Sequence, residues 1–105
     1  MQDANKQSKQ EQKNYGSEKN SPRFATGEPY SNVRKIMINE GWQPHHANDA
    51  DSCNDGDARC KDRPEMVSCA GSGMANCKFL WKKNTEIKAI CTLGEVATFD
   101  DYCNP

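Results

Sequence analysis

"NCKFLWKKNTEIKAICTLGE", residues 76–95, decides the fold of this chain. Cys77, Phe79 and Trp81 alternate with Lys78, Leu80 and Lys82, and Ile87, Ala89 and Cys91 alternate with Lys88, Ile90 and Thr92. Both runs carry the two-residue period of a half-buried strand, with turn residues between them. A turn centred on Asn84 places Trp81 opposite Ile87, Phe79 opposite Ala89, and Cys77 opposite Cys91, with Lys82 opposite Glu86 on the other face. The apolar sets then share one face, which is what fixes register in a half-buried sheet. "PEMVSCAGSG" (64–73) supplies a preceding strand that ends in a Gly-Ser-Gly turn. "EVATF" (95–99) is expected to extend the sheet or run along its edge.

Upstream, "GEPYSNVRKIMINEGWQP" (27–44) changes to a helical period. Tyr30, Val33, Ile36 and Met37 fall on one stripe, and Pro29 suits the first helical position. Gly41 supplies a left-handed residue after the last turn, Trp42 can fold back on Met37, and Pro44 prevents continuation. The fold class read from these patterns is α+β: one amphipathic helix on a small antiparallel sheet of about three strands. Phe79, Trp81, Ile87 and Ala89 are the expected sheet contribution to the core, with Trp42 and Trp81 inside it.

The chain has 105 residues and a net charge of −1, enough for one domain and without the basic footprint of nucleic-acid binding. Only 34% of residues are hydrophobic, so a large core is unavailable and something must supplement it. Six cysteines, Cys53, Cys60, Cys69, Cys77, Cys91 and Cys103, supply that supplement as a disulfide framework. Zinc sites favour closer cysteine pairs than any found here. Cys53–Cys60 is the expected bridge across a short polar stretch. Cys77 and Cys91 either bond directly or reach out to Cys69 and Cys103.

Disulfides imply an oxidising compartment, so the protein is expected to be periplasmic or secreted. Residues 1–20 contain no apolar run, and the two facts reconcile if an export signal belongs ahead of the mature chain and Met1 stands in its place. Residues 1–22, rich in Gln, Lys, Asn and Ser, read as a disordered polar linker. Linkers of this kind tether exported lipoproteins, which would put a lipid anchor upstream. The folded domain is expected over 23–105, with no membrane span.

"NDADSCNDGDARC" (48–60) raises the question of a metal. Aligned on Gly56 as the turn glycine of an EF-hand loop, it places Asp51, Asp55 and Asp57 as ligands but puts Cys53 and Asp62 where oxygen donors of other types are required. A looser calcium site from Asp49, Asp51, Asp55 and Asp57 is the alternative, or a zinc or copper site joining His45 or His46 to Asp49 or Asp51. Neighbouring side chains in an extended segment point to opposite faces, so the two histidines do not readily share one ion. The competing reading is a solvated loop closed by a disulfide.

Catalysis has little support. Ser72 lies between glycines but lacks the full nucleophile-elbow pattern. Glu28, Glu40, Glu65 and Glu95 are scattered along the chain, so a small hydrolase is only a further alternative. Tyr30 and Tyr102 are the expected exposed aromatics, and Lys78, Lys82, Lys83 and Lys88 the outer face of the hairpin. Together with the acidic loop they make a two-signed surface suited to a protein partner in the cell envelope. The function expected from sequence is therefore a non-enzymatic protein-binding module without a cofactor, in the manner of an inhibitor, immunity protein or assembly factor.

Two stretches, "YSNVRKIMINEGWQP" and "PEMVSCAGSGMANCKFLWKKNTEIKAICTLGE", resemble small exported bacterial proteins of unknown function. Those share a Y-x-x-x-R helix, a G-W-x-P stop and a C-x-G-x-G-x-x-x-C-x-F-x-W hairpin. The matching residues are Tyr30, Arg34, Gly41, Trp42, Pro44, Cys69, Gly71, Gly73, Cys77, Phe79 and Trp81. The resemblance implies a periplasmic or secreted helix-plus-sheet domain and brings no activity with it.

Overall fold

The structure, a computed structural model, describes residues 21–105. The linker reading of residues 1–20 lies outside them. Ser21 and Pro22, assigned to the linker by composition, are half-buried, and Tyr102 donates its hydroxyl to the Pro22 carbonyl at 2.8 Å. Ser21 and Pro22 therefore pack with residues 23–105.

Helix α1 spans Tyr30–Asn39, one residue after Pro29, whose carbonyl accepts from the Asn32 and Val33 amides. Its end is the one the sequence specifies. The Gly41 amide donates to Ile38 and the Trp42 amide to Met37, with Gly41 at φ +93°. This paired arrangement satisfies the last helical carbonyls, and the left-handed residue it needs has no Cβ. Tyr30, Val33 and Met37 are fully buried, whereas Ile36 is 38% exposed. At about 100° per residue, Ile36 falls roughly 60° beyond Val33, at the rim of the stripe.

Five strands follow: β1 Gln43–Pro44, β2 Met66–Cys69, β3 Cys77–Lys83, β4 Glu86–Leu93 and β5 Thr98–Cys103. All pairings are antiparallel. The sheet is four positions wide, because β1 and β2 occupy successive stretches of the same edge of β3. The gap between them is closed by Leu80, whose amide donates to Glu65 and whose carbonyl accepts from His45. "EVATF" does extend the sheet, but its first half is the turn after β4 and only Thr98 and Phe99 enter β5. The sheet thus has two strands beyond the three expected.

The hairpin forms with a different register from the expected one. Asn84 and Thr85 make a two-residue turn closed by Lys83 and Glu86, with Asn84 at φ 57°. Two-residue loops match strand twist better than a turn centred on one residue, and asparagine tolerates the left-handed conformation. Phe79 consequently faces Ile90, Leu80 faces Ala89, and Trp81 faces Lys88. A one-residue slip exchanges the faces of a strand. Ile90 therefore enters the core in place of Ile87, which is half-buried on the far side, and Lys88 moves to the Trp81 side. Ala89 is buried as expected, but on the face opposite Phe79.

The register also decides the bridges. Cys77 and Cys91 project to opposite faces and cannot join. The disulfides are Cys53–Cys60, Cys69–Cys77 and Cys91–Cys103, with Cα–Cα separations of 5.7, 4.0 and 6.0 Å. The second joins directly paired residues of β2 and β3, and the third spans β4 and β5. Around them, Phe24, Tyr30, Val33, Met37, Trp42, Phe79, Trp81, Ile90 and Phe99 form one core between helix and sheet.

Candidate functional site: a buried ion pair and a braced loop end

Tyr30 and Arg34 lie four residues apart, on adjoining parts of the helix face turned to the sheet. A tyrosine hydroxyl and a guanidinium at such positions need a buried acceptor. Glu65, just before β2, provides it and is fully buried. Arg34 donates from Nε to Glu65 Oε2 at 2.6 Å and from Nη2 to Oε1 at 3.0 Å. The Tyr30 hydroxyl donates to Oε2 at 2.9 Å and accepts from Trp81 Nε1 at 3.0 Å. The donors thus run from the indole through the phenol to the carboxylate, which the two-pronged guanidinium neutralises. The Tyr30 ring stacks on Phe79 at 3.9 Å, and the Arg63 guanidinium lies over the Tyr30 ring, 4.9 Å from its centroid. Burial, with the Glu65 charge second, holds the Tyr30 hydroxyl well above the ordinary phenol range. Tyr30 is therefore a core residue, not the exposed aromatic expected; its hydroxyl donates to Glu65, the one fully buried carboxylate among the described residues.

The acidic loop has a structural answer. Asp57 receives the Arg59 guanidinium on both carboxylate oxygens, at 2.8 Å from Nε and 2.6 Å from Nη2. The two side chains are only 14% and 11% exposed. That donation holds the Asp57 carboxyl below its usual range. Arg59 Nη1 then reaches across to the β2–β3 loop, donating to the carbonyls of Ala70 and Ala75 at 2.8 and 3.1 Å. The Cys53–Cys60 bridge closes the segment that carries this clamp, and the Asp51 amide pins its start to Val67.

The loop held by Arg59, residues 70–76, is closed at its base by Cys69–Cys77. Inside it, the Ala70 amide donates to Asn76 and the Ala75 amide to Ser72, while the Gly94 amide of the β4–β5 turn donates to Met74. At the tip of this braced end, Met74 is 68% and Val96 79% exposed, the two most exposed large apolar residues described. Ser72 belongs to this turn, the role its glycine neighbours suggest. No role was expected from sequence for Arg59, Met74 or Val96, and Glu65 stood only among the scattered glutamates. The signal that could have found Glu65 is Tyr30 and Arg34 one helical turn apart beside the apolar stripe, since together they demand an acceptor.

The metal candidates are not drawn together. His45 is half-buried, and its amide joins the sheet edge. His46 is exposed, with Nδ1 3.1 Å from the Pro64 carbonyl, so that nitrogen carries the proton. Asp49, Asp51 and Asp55 are exposed, and Asp57 is engaged by Arg59. Among the described residues, one group of three residues of metal-ligating type converges: Asp57, Cys60 and Cys69. Both cysteines belong to disulfides, and the thiolate form is the ligand.

The partner candidates also divide. Lys82 is exposed, Lys78 half-buried, and Lys83 donates its ammonium to the Glu40 carbonyl at 2.8 Å beneath the Trp42 ring. Lys88 pairs with Glu86 at 3.2 Å. Tyr102 is half-buried against Phe24 and Phe99. The lysines and tyrosines singled out from sequence therefore do not form one patch.

Three disulfides fit an exported protein. Among the described residues no helix is long and apolar enough to cross a membrane. No protein-family model, curated protein or solved structure matches the chain.

Proposed function

We propose that this chain is a non-enzymatic protein-binding module of the periplasm or the extracellular space, and that residues 70–76 and 94–97 are its contact surface. The observation that carries this reading is Met74, 68% exposed on a loop whose backbone is fixed by a disulfide, by Arg59 and by the Gly94 amide. An exposed apolar side chain on a fixed backbone enters a partner's pocket without the loop-ordering cost that usually opposes association. Methionine suits such a task, because its unbranched thioether adapts to irregular pockets. An inhibitor, immunity or assembly role would use a small rigid wedge of this kind.

Placing a photo-activated cross-linking residue at position 74, and separately at position 82, tests the reading in the native secretory fluid or envelope fraction. A discrete adduct is expected at 74 and not at 82, and Val96→Asp should abolish it. No adduct at 74, or the same adducts from both positions, would overturn the proposal.

A further inference from the structure

A second surface lies between α1 and residues 61–63 and shares no residue with the braced loop. Its wall is the outer edge of α1, with Ser31, Lys35 and Ile38 in a row, and its other wall is Lys61 to Arg63. Arg34 forms part of the floor. With Arg34 and Glu65 neutralising each other, three further cationic side chains, Lys35, Lys61 and Arg63, line this groove against one carboxylate, Asp62. Two of the cations are fixed in place. Arg34 is clamped through Nε and Nη2, which leaves Nη1 without a partner among the described residues. Arg63 is fixed by its donation to the Arg59 carbonyl at 2.9 Å and by the Tyr30 ring. Lys35 and Lys61 are exposed and have no anionic partner among the described residues. Asp62 adopts φ 58°, the left-handed bend that turns Lys61 and Arg63 toward the same side.

We infer that this groove binds an acidic, extended peptide segment of a partner protein. Charge complementarity names the sign of the ligand, because the fixed guanidiniums present donors whose cost of ordering has already been met. Length distinguishes a peptide from a lone oxyanion. Ser31 to Ile38 covers about 10 Å of helix, the reach of roughly three extended residues. Ile38, 49% exposed at the far end, offers an apolar contact that a simple anion would not use. The groove, about 270 Å³, lies below the roughly 300–1,000 Å³ usual for small-molecule pockets. This inference does not depend on the loop end, since none of its residues lies in 70–76 or 94–97.

The test is fluorescence anisotropy with a labelled peptide of sequence Glu-Ile-Glu-Asp-Glu at low salt. Competitors are the same acidic peptide without the label, its counterpart with amidated side chains, which should not displace it, and inorganic phosphate. Saturable binding is expected, weakened on the order of tenfold by the double change Lys35→Glu and Lys61→Glu and by raised salt. Lys82→Glu on the distant hairpin should leave it unchanged, and Ile38→Ser should weaken it at constant charge. Both lysines are exposed, so the folded state persists, and near-ultraviolet circular dichroism checks it. No saturable binding, equal loss with Lys82→Glu, or displacement by phosphate as efficient as by peptide would each overturn the inference. So would a concentration-dependent dimer lost in the double variant, which would make a second copy the occupant.

Discussion

Replacing Arg34 is the sharpest probe of how helix and sheet are joined. Arg34→Ala leaves Glu65 fully buried with a single remaining side-chain donor, the Tyr30 hydroxyl. Removing one partner of a buried ion pair costs about 3–5 kcal/mol. Here Arg34 is 24% exposed, so water enters the vacated position and part of that penalty is recovered. We expect a loss of about 3 kcal/mol, or a fall in Tm of roughly 10–20 °C for a domain of this size. The double change Arg34→Met with Glu65→Leu should cost less than the single change. It removes the uncompensated charge and leaves one hydroxyl short of an acceptor, about 1 kcal/mol. Thermal and chemical denaturation followed by circular dichroism give both numbers. A single variant within 1 kcal/mol of the parent, or a double variant less stable than the single, would refute the claim that this pair locks the helix to the sheet.

Other consequences follow from the same geometry. Tyr30 is held protonated in the folded state above the ordinary phenol range of about 10, so the unfolded chain releases a proton there that the native chain keeps, and stability falls as pH rises past that value. An ultraviolet titration should show one tyrosine that ionises only as near-ultraviolet circular dichroism is lost, and Tyr30→Phe should remove that step. Arg59→Ala should speed hydrogen exchange at the Ala70, Ala75 and Gly94 amides without changing exchange in the centre of β4, and Arg59→Lys should not restore protection, because one ammonium cannot serve Asp57 and two carbonyls together. Asp57 is held below the usual carboxylate range, so its share of the same brace is present at neutral pH and lost as pH falls through that lowered value. Acid titration of Asp57 by NMR, with exchange at Ala75 as the readout, checks it.

The parts of the fold legible in sequence are those decided by neighbours along the chain. Gly41, Trp42 and Pro44 stop the helix through bonds that span five residues or fewer, and the Cys53–Cys60 loop closes over seven. The alternation of residues 77–92 announces a hairpin just as locally. Register was not legible, because it turns on whether Asn84 is the middle of a turn or its first residue. That choice then propagates to Ile90, Lys88 and the partners of Cys77 and Cys91. β1 has two residues and exists because β2 leaves half an edge of β3 uncovered. Glu65 meets Tyr30 and Arg34 across 35 and 31 residues, so no local pattern marks it among the other glutamates. Arg59 is the same case: an acidic run looks like a cation site until the arginine inside it is seen to hold a loop eleven and sixteen residues away.

The whole scaffold rests on three staples, each closing a short loop and worth about 2–3 kcal/mol, in a domain whose net stability is of the order of 5–15 kcal/mol. Proteolytic mapping of the unreduced protein by mass spectrometry, with thiol counting in denaturant, tests this most directly. No free thiol and three linked peptide pairs, Cys53–Cys60, Cys69–Cys77 and Cys91–Cys103, are expected. Six free thiols on a chain that keeps its circular dichroism, or a Cys77–Cys91 link, would contradict it.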